Sequence, residues 1–500
     1  MLFRFLNLLI FYSLAAQVVS DDPYNCAGTQ TINPPVDTTK SWFYPANWND
    51  TLPTPQFAGN QNCVWTINVP KGWFASWTVT SNTRSSVIKM TDSTGYVTTL
   101  TVASEDLYFL MDPSFKVELQ ASDVGQLGMQ VTWTQVNPKL YPSTSKVHQN
   151  SLPLSLFGGD FDNSTVITAD TQVSLLAFPS NILDFLPYLR VTQVYDGDSI
   201  NAKHVGNLYQ IMDSRTNFVS SGKSLTLFSL FPGLNTHNLV LLQDYSDVKQ
   251  FKSYQPIYCV LPINCAASLN ATQGNAVAIR YWPTFYITRI DMATDNKLSV
   301  YNGYLGDAHK LTDYTYELFE RCKKSIMNDF RSANSKTDLP QEFNGKFTVF
   351  VLDKGTATIT FSGNSQSANW TAGFDGRNGF LASANYGLMS NEQSLTDQIF
   401  SSSLSDITYS FNSASLLGNA TLTVLIKDGQ KVSQDNTYTA SGAKSGTVTS
   451  TGTSLTVMYE TSGTVTSGPY VRFTFVKHNS AIGSGILLAV GISLWRMLAI

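Results

Sequence analysis

Asn62-Cys63-Val64-Trp65-Thr66-Ile67-Asn68-Val69-Pro70-Lys71-Gly72 is the stretch that decides the fold. Cys63, Trp65 and Ile67 are separated by Val64 and Thr66, the period-two spacing of a half-buried strand. The three share one face, so a thiol, an indole and a branched aliphatic side chain enter the same core. Pro70-Lys-Gly72 then turns the chain into the next strand.

Strands of this kind recur along the chain. One alternating run reads Val87-Ile-Lys-Met-Thr-Asp92, and later Arg190-Val-Thr-Gln-Val-Tyr-Asp-Gly197, Lys297-Leu-Ser-Val-Tyr-Asn-Gly303 and Thr421-Leu-Thr-Val-Leu-Ile-Lys-Asp-Gly429. A second run follows each: Lys116-Val-Glu-Leu119, Ser224-Leu-Thr-Leu227, Lys346-Phe-Thr-Val349 and Ser454-Leu-Thr-Val457. Their spacing of about 110 residues is a domain period, far longer than a solenoid unit. Asp-Gly and Asn-Gly at strand ends are hairpin turns. Long helical periodicity is nearly missing; the best helix candidate is 314–327, with Leu318, Phe319 and Cys322 on one face, read as an insertion in the third copy. The pattern predicts an all-β chain of tandem antiparallel β-sandwiches, apolar between the sheets and polar outside.

The predicted organisation is a signal peptide at 1–20, β-sandwich domains at 21–137, 145–256, 257–372 and 379–478, and a hydrophobic tail at 480–500. Arg4 supplies the positive start of the signal peptide, and Val18-Val-Ser20 places small residues at the cleavage positions. At the other end, Asn479-Ser-Ala481, a short spacer and the apolar run from Gly485 form the pattern of a GPI-attachment signal, with Asn479 the expected lipid-attachment residue. Arg496 within the run keeps open a short transmembrane span, and plain secretion is the remaining alternative. All three place residues 21 to about 480 outside the cell.

Charged residues make up 14% of the chain and the net charge is −4. No long basic run occurs, which excludes nucleic acid as the expected partner. A hydrophobic fraction of 43% argues against disorder. Asn49, Asn163, Asn270, Asn369 and Asn419 each open an Asn-x-Thr or Asn-x-Ser glycosylation sequon. There are five cysteines. In an oxidising compartment Cys26 and Cys63 are each other's only local partner, so a bridge between them is expected. Cys259–Cys265 is the shortest remaining loop, with Cys265–Cys322 its rival. A zinc site has neither a CxxC pair nor a nearby His to support it.

The first domain resembles the CUB strand signature C-x-W-x-I-x-x-P-x-G, carried here by Cys63, Trp65, Ile67, Pro70 and Gly72, and is most similar to the nematode CUB-like domain proteins. The resemblance covers about Cys26–Val136; the later copies share strand patterns only. It implies jelly-roll CUB-like sandwiches throughout and extracellular interaction, and members are associated with responses to pathogens and stress. Ordinary CUB domains have a second disulfide, which this first domain lacks. Their calcium set does not carry over either, because Asn296 stands at the acidic position of the third copy and Asp295 is one residue off register.

Chemistry is sparse. There are five histidines and no HExxH, no GxSxG nucleophile elbow and no phosphate-binding Gly-rich loop. Asp160-Phe-Asp162 opens like an EF-hand, but its twelfth position would be Thr171 rather than Glu. Glu105-Asp106 and Asp244/Asp247 read as solvated turns rather than acid–base pairs. No catalytic residue, metal ligand or cofactor is expected. Aromatics crowd the first domain; Trp65 belongs in the core, whereas Trp48, Trp73 and Trp77 are the candidate contact residues. The sequence therefore points to a non-enzymatic cell-surface protein meeting an extracellular protein or glycan, in defence-type recognition. The alternatives are a structural glycocalyx or matrix component and a lectin-like glycan-binding module.

Overall fold

In the strand Gln61–Asn68, burial alternates, with Cys63, Trp65 and Ile67 inward and no more than 1% exposed. The computed structural model that shows this describes residues 23–479, except 27, 84, 101–106, 139–141, 161–162, 180–182, 259–264, 282–283, 294–295, 304–325, 331–334, 385, 387–393, 413–415 and 443–444. The signal peptide, the hydrophobic tail, Cys259, Cys322 and residues 314–325 of the expected helix fall outside the described residues; the last two helix positions, Ile326 and Met327, instead open the strand Ile326–Phe330, paired with Leu298–Asn302.

The architecture is all-β, as the alternation predicts. The chain divides into two units, Met1–Pro138 and Lys139–Ile500. In the first, Gln61–Asn68 lies parallel to Thr29–Ile32 and antiparallel to Ser114–Ala121, with Val87–Thr91 and Val97–Leu100 completing a five-stranded sheet. A second five-stranded sheet centres on Gly125–Gln135 and Trp73–Asn82. Trp65, Trp77, Phe115 and Val131 fill the space between the sheets. Trp73 N–H bonds Pro70 C=O at 3.0 Å, and Gly72 takes φ +79° in that turn, a conformation that costs a residue without Cβ little.

The second unit repeats this topology twice. Ser143–Val147 runs parallel to Ser164–Ala169, and Ser253–Pro256 runs parallel to Ala276–Tyr281; each pair opens a five-stranded sheet facing a four-stranded one. The two runs that mark each sequence repeat are antiparallel neighbours in all four copies. Ile88 pairs with Leu119, Val194 with Leu227, Val300 with Phe350 and Val424 with Val457. Beyond that shared pair the fourth copy differs, because it is built from one seven-stranded sheet. Its long strands Leu395–Asn412 and Ser445–Glu460 lose register between Phe400 and Ser405, where the sheet bends. The Tyr438 and Tyr409 hydroxyls meet at 2.9 Å beside a core of Ile407, Leu422, Val457 and Phe473.

The expectation of polar outer faces fails between the second and third copies. Val173–Phe178 and Leu239–Asp244 are buried at every position. Leu176, Phe178, Leu239 and Leu241 pack against Val277, Ile279, Phe347 and Val349 in a second core outside either sandwich. The third and fourth copies meet through apolar packing, Phe343 against Phe380 with ring centres 5.4 Å apart, and through polar groups. The Gln341 amide donates to Phe380 C=O at 2.8 Å and accepts from Phe380 N–H at 3.1 Å, replacing backbone pairing between two strand edges.

Candidate functional site

The candidate site lies on that joint. Along Thr284–Met292, Phe285 and Ile287 enter the third core, so Tyr286 points out of the sheet. Tyr286 stands opposite Glu342 and Thr284 opposite Asn344 in the neighbouring strand Gln341–Asn344. These four side chains face Asp397, which occupies the apolar stripe Leu395-x-Asp397-x-Ile399 of the fourth copy. Together with Ala384 and Ser394–Thr396 they line a cavity of about 370 Å³.

Its polar groups form a chain. Thr284 Oγ1 donates to Asn344 Oδ1 at 2.8 Å, and Asn344 Nδ2 donates to Glu342 Oε1 at 2.6 Å. The Trp370 indole N–H donates to Asp397 Oδ1 at 3.2 Å. Burial first, then the charge and hydrogen bond of Glu342, push the Asp397 carboxyl up to about 8. Burial thus favours the protonated form of Asp397. Burial and the same two acids push the Tyr286 phenol upward as well. What the cavity offers a visitor is a set of oxygen acceptors beside a phenol ring.

The sequence reasoning missed this pair. The available signal was an Asp at a core-facing position of an alternating strand, where an acid needs a partner. Of the carboxylate pairs it named, Glu105-Asp106 lies outside the described residues, Asp247 holds a turn, and Asp244, expected to be solvated, is wholly buried where its strand ends. Asp244 accepts from Thr171 and Ser246, and Asp247 accepts from the Asn150 backbone N–H at 3.0 Å. Asp160 accepts from Phe157 N–H at 2.9 Å, also within a turn. Asn296 is buried under Gly355 and donates to Thr356 C=O at 3.4 Å.

Two of the three candidate tryptophans are corrected. Trp77 is wholly buried between the sheets, its ring 5.0 Å from Tyr108, and offers no contact surface. Trp48 is 6% exposed, because its ring lies over Gly128 on the outer face of the sheet while its N–H bonds Leu52 C=O at 3.2 Å. Trp73 is half-buried at the edge of the core. Cys26 and Cys63 are bridged, with Cα atoms 5.9 Å apart. Cys265 is disulfide-bonded. Asn270, Asn369, Asn419 and Asn479 are exposed, whereas Asn49 and Asn163 are half-buried. In the first and third copies the sequon oxygens of Asn49 and Asn270 accept from the Thr two residues on, at 3.0 Å from each backbone N–H.

With Cys63 of the bridge and Trp65 sharing one core face of a two-sheet sandwich, comparison with known families becomes informative. Residues 21–137 match the family model for a CUB-like domain. The chain carries a CUB-like domain. Downstream of it, residues 146–230 and 246–364 match two further models, each described as a domain of unknown function (DUF7592 and DUF7591). No curated protein matches the chain. Among solved structures it is similar to the CUB1-EGF-CUB2 domain of human MASP-1/3, at 10% identity and TM-score 0.15, covering 38% of this chain and 94% of that one. It is also similar to the full extracellular region of zebrafish Gpr126/Adgrg6, at 8% identity and TM-score 0.18, covering 68% and 53%. With TM-scores this low neither shapes the account of the fold, which rests on the sheets themselves. A CUB-like domain closed by a disulfide has the character of an extracellular protein.

Proposed function

We propose that this chain is a non-enzymatic recognition protein of the outer cell surface, glycosylated, tethered through its apolar C-terminal run and acting in defence-type responses. The observation that carries the reading is the CUB-like domain with its buried Cys26–Cys63 bridge. The five sequons and the apolar runs at both ends of the sequence support the same placement. The Glu342–Asp397 pair fits binding better than reaction. Burial favours a protonated Asp397, and Glu342 Oε1 is engaged by the Asn344 amide at 2.6 Å, so the cavity presents hydrogen-bonding groups to a ligand.

The junction cavity also favours a lectin-like version of this reading, because carboxyl and amide acceptors beside a phenol ring suit a hydroxyl-rich ligand. A glycan array probed with the purified protein separates the versions. Binding that is lost in Asn344→Leu supports glycan recognition at the cavity; an array without signal leaves protein recognition. Induction of the transcript by infection distinguishes a defence role from a structural glycocalyx component. Phosphatidylinositol-specific phospholipase C tests the tether: release from the cell surface supports a lipid anchor at Asn479, and retention supports a spanning tail.

A further inference from the structure

The five-stranded sheet of the third copy sends three stripes into its core: Ala276-x-Ala278-x-Arg280, Leu352-x-Phe350-x-Thr348 and Leu298-x-Val300-x-Asn302. Each stripe is apolar until its last member. The three last members are aligned by register, since Thr348 pairs with Arg280 on one side and with Asn302 on the other. One end of an otherwise apolar core thus carries a row of three polar side chains across three adjacent strands.

All three are deeply buried: Arg280 2% exposed, Thr348 0% and Asn302 4%. All three have unmet hydrogen-bonding capacity. Among the described residues, Nε, Nη1 and Nη2 of Arg280, Oγ1 of Thr348 and Oδ1 of Asn302 are buried without a hydrogen-bond partner. The Asn302 amide nitrogen is committed to Ala384 C=O at 3.1 Å and Tyr386 C=O at 2.8 Å, which fixes Oδ1 as an acceptor. The guanidinium carbon lies 4.5 Å from the centre of the Phe285 ring and 5.0 Å from that of Phe361. Those ring faces attract the cation but satisfy none of its N–H groups.

An isolated buried charge is among the most costly groups a fold can hold, and arginine cannot readily escape the cost by losing its proton. Burial pushes Arg280 down only to about 9, so it remains cationic at neutral pH. Ring contacts alone offset a small part of that cost. The guanidinium fork donates in the plane that suits two oxygens of a carboxylate-type anion, and the Thr348 hydroxyl is a further donor in the same row. Asn302 Oδ1 can accept a hydrogen bond from a bridging water.

We propose that the polar end of the third copy, Arg280, Thr348 and Asn302, binds a compact monovalent anion, either a halide or a small carboxylate-type oxyanion. The anion completes the core in the way a structural cation completes other folds, so its occupancy sets the stability of the third copy and of the joint that Asn302 makes with Ala384 and Tyr386.

The test is thermal unfolding of the purified full-length protein in chloride, acetate and the bulky anion isethionate, at constant ionic strength. The proposal predicts that the Tm of the Lys139–Ile500 transition rises by about 3–4 °C as chloride or acetate reaches roughly a hundredfold above its dissociation constant, and that isethionate has no such effect. Whichever of chloride and acetate acts at the lower concentration identifies the source. Arg280→Met abolishes the dependence and Thr348→Val weakens it severalfold. Should Arg280→Met fail to fold, halide NMR line broadening on the native protein, reduced in Thr348→Val, reads the same site. A native Tm that is equal in all three anions overturns the proposal, as does a dependence that persists unchanged in Arg280→Met.

Discussion

Asp397 of the fourth copy faces Glu342 of the third across their joint, and the Trp370 indole N–H donates to Asp397 Oδ1 at 3.2 Å. The Asp397 carboxyl stands at about 8 in the folded chain, against about 3.9 for an unperturbed Asp. Between those values the folded state holds a proton that the unfolded state has released. Its stabilising effect is therefore full below about pH 4 and is lost as pH rises through about 8. Glu342→Gln removes the neighbouring charge and flattens this slope. Urea midpoints from pH 5 to 9 check it; parallel pH profiles for the two proteins would refute the influence of Glu342 on Asp397.

The Cys26–Cys63 bridge closes a loop with a sequence separation of 37. Its removal by Cys26→Ser with Cys63→Ser releases about 4 kcal/mol of loop entropy to the unfolded chain. The expected result is a lower calorimetric transition for the unit Met1–Pro138, with the transition of Lys139–Ile500 unmoved. A loss shared equally by both transitions would count against independent units.

Trp48 depends on a missing side chain. A Cβ on Gly128 would stand 2.6 Å from its ring. Gly128→Val expels the ring from the sheet, costs about 1–3 kcal/mol and shifts tryptophan emission to the red. Unchanged emission would mean that the ring does not rest there.

Gln341 satisfies both backbone groups of Phe380 and is itself wholly buried. Gln341→Leu strands those groups and costs roughly 2–4 kcal/mol. Hydrogen exchange should quicken along Asn378–Ala382 while the first unit stays protected.

The parts of this fold that were legible in sequence are those where one face of a strand is wet. Cys63, Trp65 and Ile67 could be assigned inward because Val64 and Thr66 interrupt them, and the marked runs could be aligned because each ends at a turn. Val173–Phe178 and Leu239–Asp244 gave a different signal, nearly continuous apolar runs, because a second sheet covers their outer faces. Trp48 and Trp77 were misplaced for a related reason. Local spacing shows that a ring leaves the strand, but what it meets there, Gly128 or Tyr108, is brought from elsewhere in the chain. The Glu342–Asp397 pair joins residues of two copies, and neither neighbourhood alone reveals it.

The placement outside the cell is tested most directly on intact, unpermeabilised cells expressing the full chain with a tag inserted beside exposed Asn270. The account predicts that antibody reaches the tag, that peptide-N-glycosidase lowers the apparent mass, and that Cys26 and Cys63 resist alkylation until reduced. A chain found inside the cell, unglycosylated and with both thiols free, would contradict it.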